Sequence, residues 1–313
     1  MRAGGLLSAE KGEKAVEALI RLSAFSAILG LLLIFVFIGK EALPILTSPE
    51  VRKEAGLSTL LLAQEGPRPY SWQPVSEVPK YSILILFVGT LKVTLVAMLF
   101  AIPLALGAAL YTSEFAPEWT KELIKPVIEL LAGIPSVVLG FFALMVMATY
   151  VQDVLGLVYR LNAVNAGIAL GLAVIPIVYT VADDALTSVP RSYREASIAM
   201  GASAWQTASK VVFPAALPGI LAACVLGFGR AIGETMIVLM CSGNAPILAW
   251  SLAKPVRSLS ATVAAELGEV VVGSPHYHVL FFIGTLLFVF TFVLNLFAHW
   301  FVRRLQRRVL GAA

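Results

Sequence analysis

The sequence predicts an all-α, polytopic membrane protein with six transmembrane helices. Three observations support this prediction. Only 13% of the 313 residues are charged and 59% are hydrophobic, whereas a soluble domain carries about 25% charged residues. The mean hydropathy is +0.88. Apolar runs of about 20 residues recur along the chain, and each is long enough to cross the roughly 30 Å hydrocarbon core as a helix.

The six apolar runs place the transmembrane helices. We predict spans at residues 17–39, 82–111, 124–150, 164–184, 218–242 and 278–301. The first run is too long for a cleaved signal peptide and contains bulky Phe35 and Phe37, so we expect a retained anchor. Proline occurs inside the spans at Pro103, Pro135 and Pro176. Each proline removes a backbone donor, which either kinks the helix beside a cavity or is simply tolerated in the membrane.

The basic residues predict the orientation of the chain. With the N-terminus inside, the inner segments hold thirteen Lys and Arg residues and the outer segments hold eight. The "RRLQRR" tail is the clearest part of this bias. We therefore expect both termini to face the cytoplasm. Because the cations lie at helix ends and in loops and form no soluble basic face, we expect no nucleic-acid partner.

The chain divides into two predicted parts. Residues 1–80 form an N-terminal cytoplasmic segment, the first transmembrane helix and an extracytoplasmic loop. Residues 81–313 form a core with five transmembrane helices and an inner loop at about 188–218. In the first outer loop, "QEGPRPYSWQP" is rich in proline and polar residues, which predicts neither a strand nor a long helix. In the second, "ATVAAELGEVV" predicts a short surface helix.

The longest inner loop, "TSVPRSYREASIAMGASAWQTASKVVFP", predicts two short helices. Pro190 starts the first helix, and Gly201 ends it in a left-handed conformation. Ser203 and Gln206 form a capping box that opens the second helix. Pro214 marks the return of the chain toward the bilayer.

The same loop resembles the signature of the transmembrane subunits of ABC importers. That signature is EAA, three residues, Gly, nine residues and I-x-L-P, and this sequence keeps its spacing. Its matching residues are Glu195, Ala196, Gly201 and Pro214. Three positions carry conservative departures: Ser197, Val211 and Phe213. The resemblance implies that the loop docks into a groove on a cytoplasmic ATPase subunit, whereas the alternative is an ordinary amphipathic connector.

Longer segments resemble the phosphate-specific (Pst) branch of these importers. They are "GTLKVTLVAMLFAIPLALGAALYTSEFAP", "IELLAGIPSVVLG" and "GFGRAIGETMIVLMCSGN". GETM followed by Gly243 and Asn244, together with the extended first outer loop, is closer to the PstC subunit than to PstA. The resemblance implies a MetI-like permease fold in the inner membrane, surrounded by lipid. It also implies a PstA-like second permease, two PstB-like ATPase subunits and a PstS-like extracytoplasmic phosphate-binding protein.

Two charges interrupt the fifth predicted span. An ionised residue in the middle of a span costs about 2.5 to 3.5 kcal/mol on insertion scales, so both charges need compensation. Arg230 and Glu234 lie four residues apart, which predicts one helical face and a mutual ion pair. The pair either fixes helix packing or faces a polar path. In the second case Arg230 binds an oxyanion and Glu234 holds it in the resting state. The family resemblance points to the same two residues for phosphate passage.

Small and polar residues surround this pair. Thr235 and Asn244 either line the path or make local hydrogen bonds. Three glycines allow close backbone approach, either to a neighbouring helix or to the passing ion: Gly227, Gly229 and Gly233.

Titratable residues elsewhere in the chain predict no metal site. Asp183 and Asp184 close the fourth span, where we expect a solvated helix end. His276 and His278 alternate in "SPHYHV" without a third ligand nearby. No metal ligand or catalytic residue is predicted.

The sequence therefore predicts one permease subunit of an ATP-driven phosphate importer, working by alternating access. There is no G-x-x-x-x-G-K-[ST] motif, so we expect no cofactor in this chain and expect ATP and Mg²⁺ to bind a partner ATPase. A permease for sulfate or molybdate is the first alternative, because an arginine suits those oxyanions too. A secondary transporter with Glu234 carrying a proton is the second. An intramembrane enzyme is disfavoured, because no G-x-S-x-G or H-E-x-x-H constellation occurs.

Overall fold

The computed structural model describes residues 3–63 and 69–309, with side chains for residues 16–63 and 69–304. Part of the first outer loop, residues 64–68, lies outside these ranges. So do the side chains of several cations used to predict orientation: Arg2, Lys11, Lys14, Arg68, Arg307 and Arg308. The elements before the second span are α1 Ala3–Ala42, α2 Pro44–Thr47, α3 Pro49–Ala55, α4 Leu57–Leu61, β1 Trp72–Gln73 and β2 Lys80–Tyr81.

The rest of the described chain is helical. Its helices are α5 Ile83–Glu114, α6 Glu118–Ala132, α7 Ser136–Phe142, α8 Ala148–Leu155, α9 Ala163–Thr187, α10 Arg191–Ala199, α11 Ala204–Thr207, α12 Phe213–Gly233, α13 Met236–Cys241, α14 Leu259–Glu266 and α15 Pro275–Val309. Wider π-helical turns at Ala143–Met147 and Ala208–Val212 join α7 to α8 and α11 to α12.

Six helical segments of the described chain are long and apolar enough to cross a membrane, which confirms the predicted number. They are Val16–Thr47, Ile83–Glu114, Ser136–Leu155, Ala163–Thr187, Ala204–Gly233 and Pro275–Arg304. The first, second, fourth and sixth segments overlap the corresponding predicted spans. The third and fifth spans differ, and both differences have a local cause.

The third predicted span, residues 124–150, is not one helix. An amphipathic helix, α6, ends at Ala132 with Gly133 as its C-cap, and the apolar helix begins only at Ser136. Pro135 has an extended backbone at the start of α7, with φ −59° and ψ 137°. Proline has no N–H to continue the helical ladder and disfavours the helical conformation in the residue before it, so the chain breaks here.

The fifth predicted span, residues 218–242, is wrong at both ends. It ends early, at Gly233. It also begins early, because α11 continues through a π-helical turn into α12 as one span from Ala204. Pro214 therefore lies within a continuous helix rather than at a boundary. The wide turn just before Pro214 accommodates a residue that cannot donate to the ladder.

The first outer segment is more structured than predicted. It contains α2, α3, α4 and a small antiparallel hairpin in which Trp72 pairs with Tyr81, so the prediction of no strand in "QEGPRPYSWQP" was wrong. Buried side chains from this segment and from α5, α14 and α15 form a second core. Trp72 and Tyr81 pack edge to face there, with ring centroids 5.6 Å apart. This aromatic packing stabilises strands too short to persist alone.

The main core joins α5, α9 and α12 through small residues. One face of α5 has a fully buried alanine at every fourth position: Ala97, Ala101, Ala105 and Ala109. On α9, Gly171 lies so close to Phe100 of α5 that an added Cβ would come within 2.7 Å of the ring. Small residues let membrane helices approach closely where no hydrophobic effect drives their association. The first span packs beside α15, with Phe35 and Phe288 ring centroids 4.8 Å apart.

Candidate functional site

A break in the fifth span forms the centre of the candidate site. Helix α12 ends at Gly233, and Glu234 has an extended backbone with φ −69° and ψ 131°. The Ser260 hydroxyl donates to the Glu234 carbonyl at 2.9 Å, and the Thr235 N–H donates to the Glu234 carboxylate at 3.2 Å. These two bonds satisfy the Glu234 carbonyl and the Thr235 N–H, which a continuous helix would have paired. Glycine is a poor helix former, so ending the helix at Gly233 costs little free energy.

The break follows the last residue of the fifth apolar segment, and we infer from the position of Gly227 that it still lies at membrane depth. Gly227 contacts Met98, Val174 and Val178, which lie midway along α5 and α9. Gly233 is six residues further along α12, or about 9 Å at the helical rise. This distance is less than the roughly 15 Å half-thickness of a hydrocarbon core. Irregular backbone at such depth is tolerated only where protein or a water-filled cavity covers it.

Arg230 and Glu234 do not form the predicted ion pair. Since α12 ends between them, they do not share a helical face, and within residues 16–63 and 69–304 no salt bridge joins them. Arg230 is exposed and Glu234 is half-buried. The pairing hypothesis assumed an uninterrupted helix and was wrong for that reason. Instead, Arg230 presents its guanidinium at the surface of the isolated chain, where its five donors are available to an anion.

The three candidate glycines occupy different surroundings. A Cβ on Gly227 would lie 2.5 Å from Val178, so this glycine is required for the contact between α12 and α9. A Cβ on Gly229 would lie 3.7 Å from the Asn295 side chain, which is an ordinary contact. Gly233 has open space around it. Close helix packing therefore involves Gly227, and Gly233 lies at the helix end beside the break.

The two polar candidates lie on either side of α13. Thr235 donates its hydroxyl to the Gly233 carbonyl at 3.3 Å. Asn244 follows α13 with a left-handed backbone, φ 43°, and its side-chain oxygen is buried without a hydrogen-bond partner in the described chain. Thr235 therefore lies at the break, whereas Asn244 lies beyond the far end of α13 and has an unused acceptor.

The inner loop has the local structure that its sequence predicts. Helix α10 begins after Pro190, and Gly201 follows it with φ 83°, in the region that only glycine enters without strain. Ser203 and Gln206 form both hydrogen bonds of a capping box at the start of α11. Glu195 is exposed on α10.

A groove of about 630 Å³ separates α10 from α11. It is lined by Tyr193, Ala196, Ser197, Met200, Gly201, Ala202, Gln206, Lys210 and Val211. Around it, Ile198, Met200 and Trp205 are 59%, 89% and 62% exposed. An exposed apolar patch with a polar rim is typical of a protein interaction site.

Asp183 lies in a buried network, so the prediction of a solvated helix end was wrong for this residue, whereas Asp184 is exposed. Its side chain accepts a hydrogen bond from Thr112 at 3.0 Å and pairs with Lys125 at 2.8 Å. Tyr179 donates to Thr112 at 3.1 Å. The network joins α6 to α5 and α9, because Lys125 extends from the amphipathic helix over the end of the bundle.

A second charged cluster lies near the opposite end of α5. There the Leu259 N–H at the start of α14 donates to the Thr90 hydroxyl of α5. Glu266 accepts from Trp72 at 3.1 Å, pairs with Arg257 at 2.8 Å and contacts His276 at 3.0 Å. These residues belong to the hairpin, to the segment before α14, to α14 and to α15. The histidine contact explains why His276 is held at the start of α15.

The Glu266 cluster predicts a dependence of stability on pH. Burial by itself raises the pKa of Glu266. The His276 hydrogen bond, the Arg257 charge and the Trp72 N–H together lower it by more, so the pKa in the folded protein is below the ordinary 4.5. The stabilisation is therefore present above pH 4.5 and is lost as the pH falls through the lower folded pKa. We expect Glu266→Gln to destabilise the fold by about 1 to 3 kcal/mol near neutral pH. Thermal unfolding across pH should show the difference from wild type shrinking in acid, and a constant difference would contradict it.

The family of the chain follows from comparison with known proteins. Residues 101–311 match the family described as Binding-protein-dependent transport system inner membrane component. The chain belongs to this family. As an inner membrane component of a binding-protein-dependent transport system, it is a multi-pass transport subunit and not an enzyme.

The sequence of this permease is similar to those of several named bacterial permeases. It is 36% identical over 234 residues to the probable ABC transporter permease YqgH of Bacillus subtilis, covering 75% of this chain and 76% of YqgH. It is 31% identical over 257 residues to the phosphate transport system permease PstC of Mesorhizobium japonicum, covering 76% and 78%. It is 34% identical over 252 residues to PstC 1 of Mycobacterium tuberculosis, covering 74% and 75%. The predicted resemblance to PstC is confirmed.

Solved structures share the fold of this permease. An inward-facing structure of the MetNI methionine ABC transporter matches with a TM-score of 0.55 at 20% identity, covering 70% of this chain and 93% of that one. A bacterial ABC transporter involved in alginate import matches with a TM-score of 0.54 at 16% identity, covering 71% and 79%. The predicted MetI-like permease fold is thereby confirmed.

Sequence reasoning missed the contacts between distant segments. Trp72 and Glu266 are 194 residues apart, and Arg194 binds Glu114 across 80 residues. Neither pair has a local spacing signal, since each partner is one of several charged or aromatic residues in its segment. Lys125 and Asp183 likewise come from separate helices.

Proposed function

We propose that this permease is the PstC-like subunit of an ATP-driven phosphate importer. The observation that supports it best is the break after Gly233, with Arg230 exposed one turn before it. Because irregular backbone and a free guanidinium are both costly against lipid, this surface has to face either another protein or water. A second, PstA-like permease on this face encloses a polar path, and Arg230 binds the anion there. Glu234, Thr235 and Asn244 line the same region.

The substrate is proposed from chemistry and from the relatives. A planar guanidinium binds tetrahedral oxyanions through two parallel hydrogen bonds. Relatives at 31% and 34% identity are named phosphate transport system permeases. Sulfate and molybdate present similar oxygens to an arginine, so substrate choice rests with the extracytoplasmic binding protein as well as with this path.

Coupling to ATP takes place through the inner loop. Two PstB-like ATPase subunits bind ATP and Mg²⁺, and one of them docks on the groove between α10 and α11. Four loop residues carry this contact: Glu195, Ala196, Gly201 and Pro214. The left-handed Gly201 and the capping box at Ser203 make the pair of helices rigid. A rigid pair can transmit movement of the ATPase subunits to the membrane helices. Closure of the ATPases switches the path between the two faces by alternating access, with both termini in the cytoplasm.

The experiment is uptake into vesicles that contain the assembled complex, its binding protein and internal ATP. We expect labelled phosphate to accumulate only with ATP, and labelled sulfate and molybdate not to accumulate. Accumulation of sulfate or molybdate instead would replace the substrate and keep the importer. Uptake that needs no ATP and collapses with an uncoupler would overturn the proposal in favour of a proton-coupled transporter.

A further inference from the structure

Arg194 makes the most extensive polar contacts of the inner loop. Its Nη2 and Nε atoms donate to the two carboxylate oxygens of Glu114 at 2.6 Å and 3.1 Å. Its Nη1 donates to the Val189 carbonyl at 2.6 Å, and Nη2 also donates to the Leu186 carbonyl at 2.9 Å. One guanidinium on α10 therefore holds the last residue of α5, a carbonyl in the last turn of α9 and a carbonyl just after α9.

The other contacts of α10 lead mainly to the start of the fifth span. None of its residues is buried. Ser197 shares a hydrogen bond with Thr207 at 2.9 Å, which links α10 to the start of the fifth span. Helix α10 also packs against the π-helical turn Ala208–Val212 of that span, and the chain from Ser188 to Pro190 connects it to α9. By contrast, α11 continues directly into the fifth span, so it needs no side-chain link.

We propose that Arg194 is a positioning residue that transmits movement of the coupling helix α10 to the second and fourth spans. This inference rests on the proposed function, because it assigns α10 to the contact with the ATPase. The physical reason is the geometry of the bond. A fork of two parallel N–H donors on a carboxylate resists rotation as well as separation, and the two carbonyl bonds hold the same guanidinium at the C-terminal end of α9.

The receiving end is the C-terminus of α5. Glu114 is the last residue of α5, and its side chain is 9% exposed in the pair with Arg194. The next residue, Phe115, packs its ring against Trp205 of α11 with centroids 6.0 Å apart. Both helices of the loop thus meet α5 at adjacent residues. Through its buried alanine face, α5 then moves together with α9.

The test separates ATP hydrolysis from uptake in reconstituted vesicles containing the whole complex and its binding protein. The variants are Arg194→Lys, which keeps the charge and loses the fork, and Glu114→Gln, which loses the carboxylate. Matched controls are Arg191→Lys on the same helix and Glu122→Gln on α6, both exposed. We expect both variants to retain the ATPase subunits and their hydrolysis, while the number of anions moved per ATP falls by about tenfold. The controls should match wild type.

The outcomes separate this inference from the proposed function. Wild-type vesicles that show no ATP-dependent uptake of any oxyanion would contradict the function itself. If wild type transports and the variants lose uptake and hydrolysis in proportion, Arg194 has no special role in coupling. Loss of the ATPase subunits from Arg194→Lys would assign the residue to docking and also overturn the proposal. The exchanged pair Arg194→Glu with Glu114→Arg should regain part of the lost coupling, since it restores the ion pair without the carbonyl bonds.

Discussion

Arg230→Ala is expected to lower ATP-dependent anion uptake by about 10- to 150-fold, the range that follows from losing about 1.5 to 3 kcal/mol of charged hydrogen bonding. The structure leaves Arg230 exposed beside a broken span, so its removal takes away a binding group and leaves no buried partner unpaired. We therefore expect normal protein levels and normal ATPase content. Arg230→Lys should give an intermediate rate, because it keeps the charge and loses the planar fork.

The measurement is the initial rate of labelled phosphate uptake by vesicles with equal amounts of complex. Arg21→Ala is the matched control, since Arg21 is an exposed arginine of the first span that pairs with Glu17 on the same helix. Such a surface pair contributes little, and its loss should leave uptake unchanged. A wild-type rate for Arg230→Ala would remove this arginine from the transport path.

Gly227→Leu is expected to destabilise the permease by about 1 to 3 kcal/mol, the usual cost of overfilling a packed core. Its first added atom would lie 2.5 Å from Val178 and 3.1 Å from Val174, both on the facing helix. We expect a lower thermal unfolding midpoint and less folded complex after extraction from membranes.

Gly233→Leu provides the comparison, because nothing lies within 4 Å of a Cβ at that position. The same new side chain should leave the unfolding midpoint near that of wild type there. Equal loss at both positions would mean that the contact between α12 and α9 does not depend on a glycine.

The number of spans and the local structure of the inner loop could be predicted from the sequence. Apolar length alone identifies a membrane helix, because the bilayer imposes it. The capping box at Ser203 and Gln206 and the left-handed Gly201 depend on neighbours within three or four residues, so their signals are local. Arg230 was singled out because a charge inside an apolar run is conspicuous.

The helix breaks and the long-range contacts could not be predicted in the same way. A hydropathy pattern does not detect the break after Gly233, since the sequence "AIGETMIVLMC" is mostly apolar both before and after it. The break depends on Ser260, a residue from a later segment that satisfies the freed carbonyl of Glu234. The ion pair of Arg194 with Glu114 depends on how α10 folds back toward α5. Tertiary contacts decide both features, and no pattern within a single segment encodes them.

The most direct test of the account asks whether Arg230 faces water or lipid in the assembled complex. Arg230→Cys is made with Cys224→Ala and Cys241→Ser, which remove the native thiols. Phe25→Cys is the lipid-facing control, on a first span whose apolar window is 0% buried. We predict that a charged, membrane-impermeant thiol reagent labels the Arg230→Cys complex, that phosphate slows this labelling, and that the control stays unlabelled. Labelling of both variants only by a lipid-soluble reagent would contradict a transport path at Arg230.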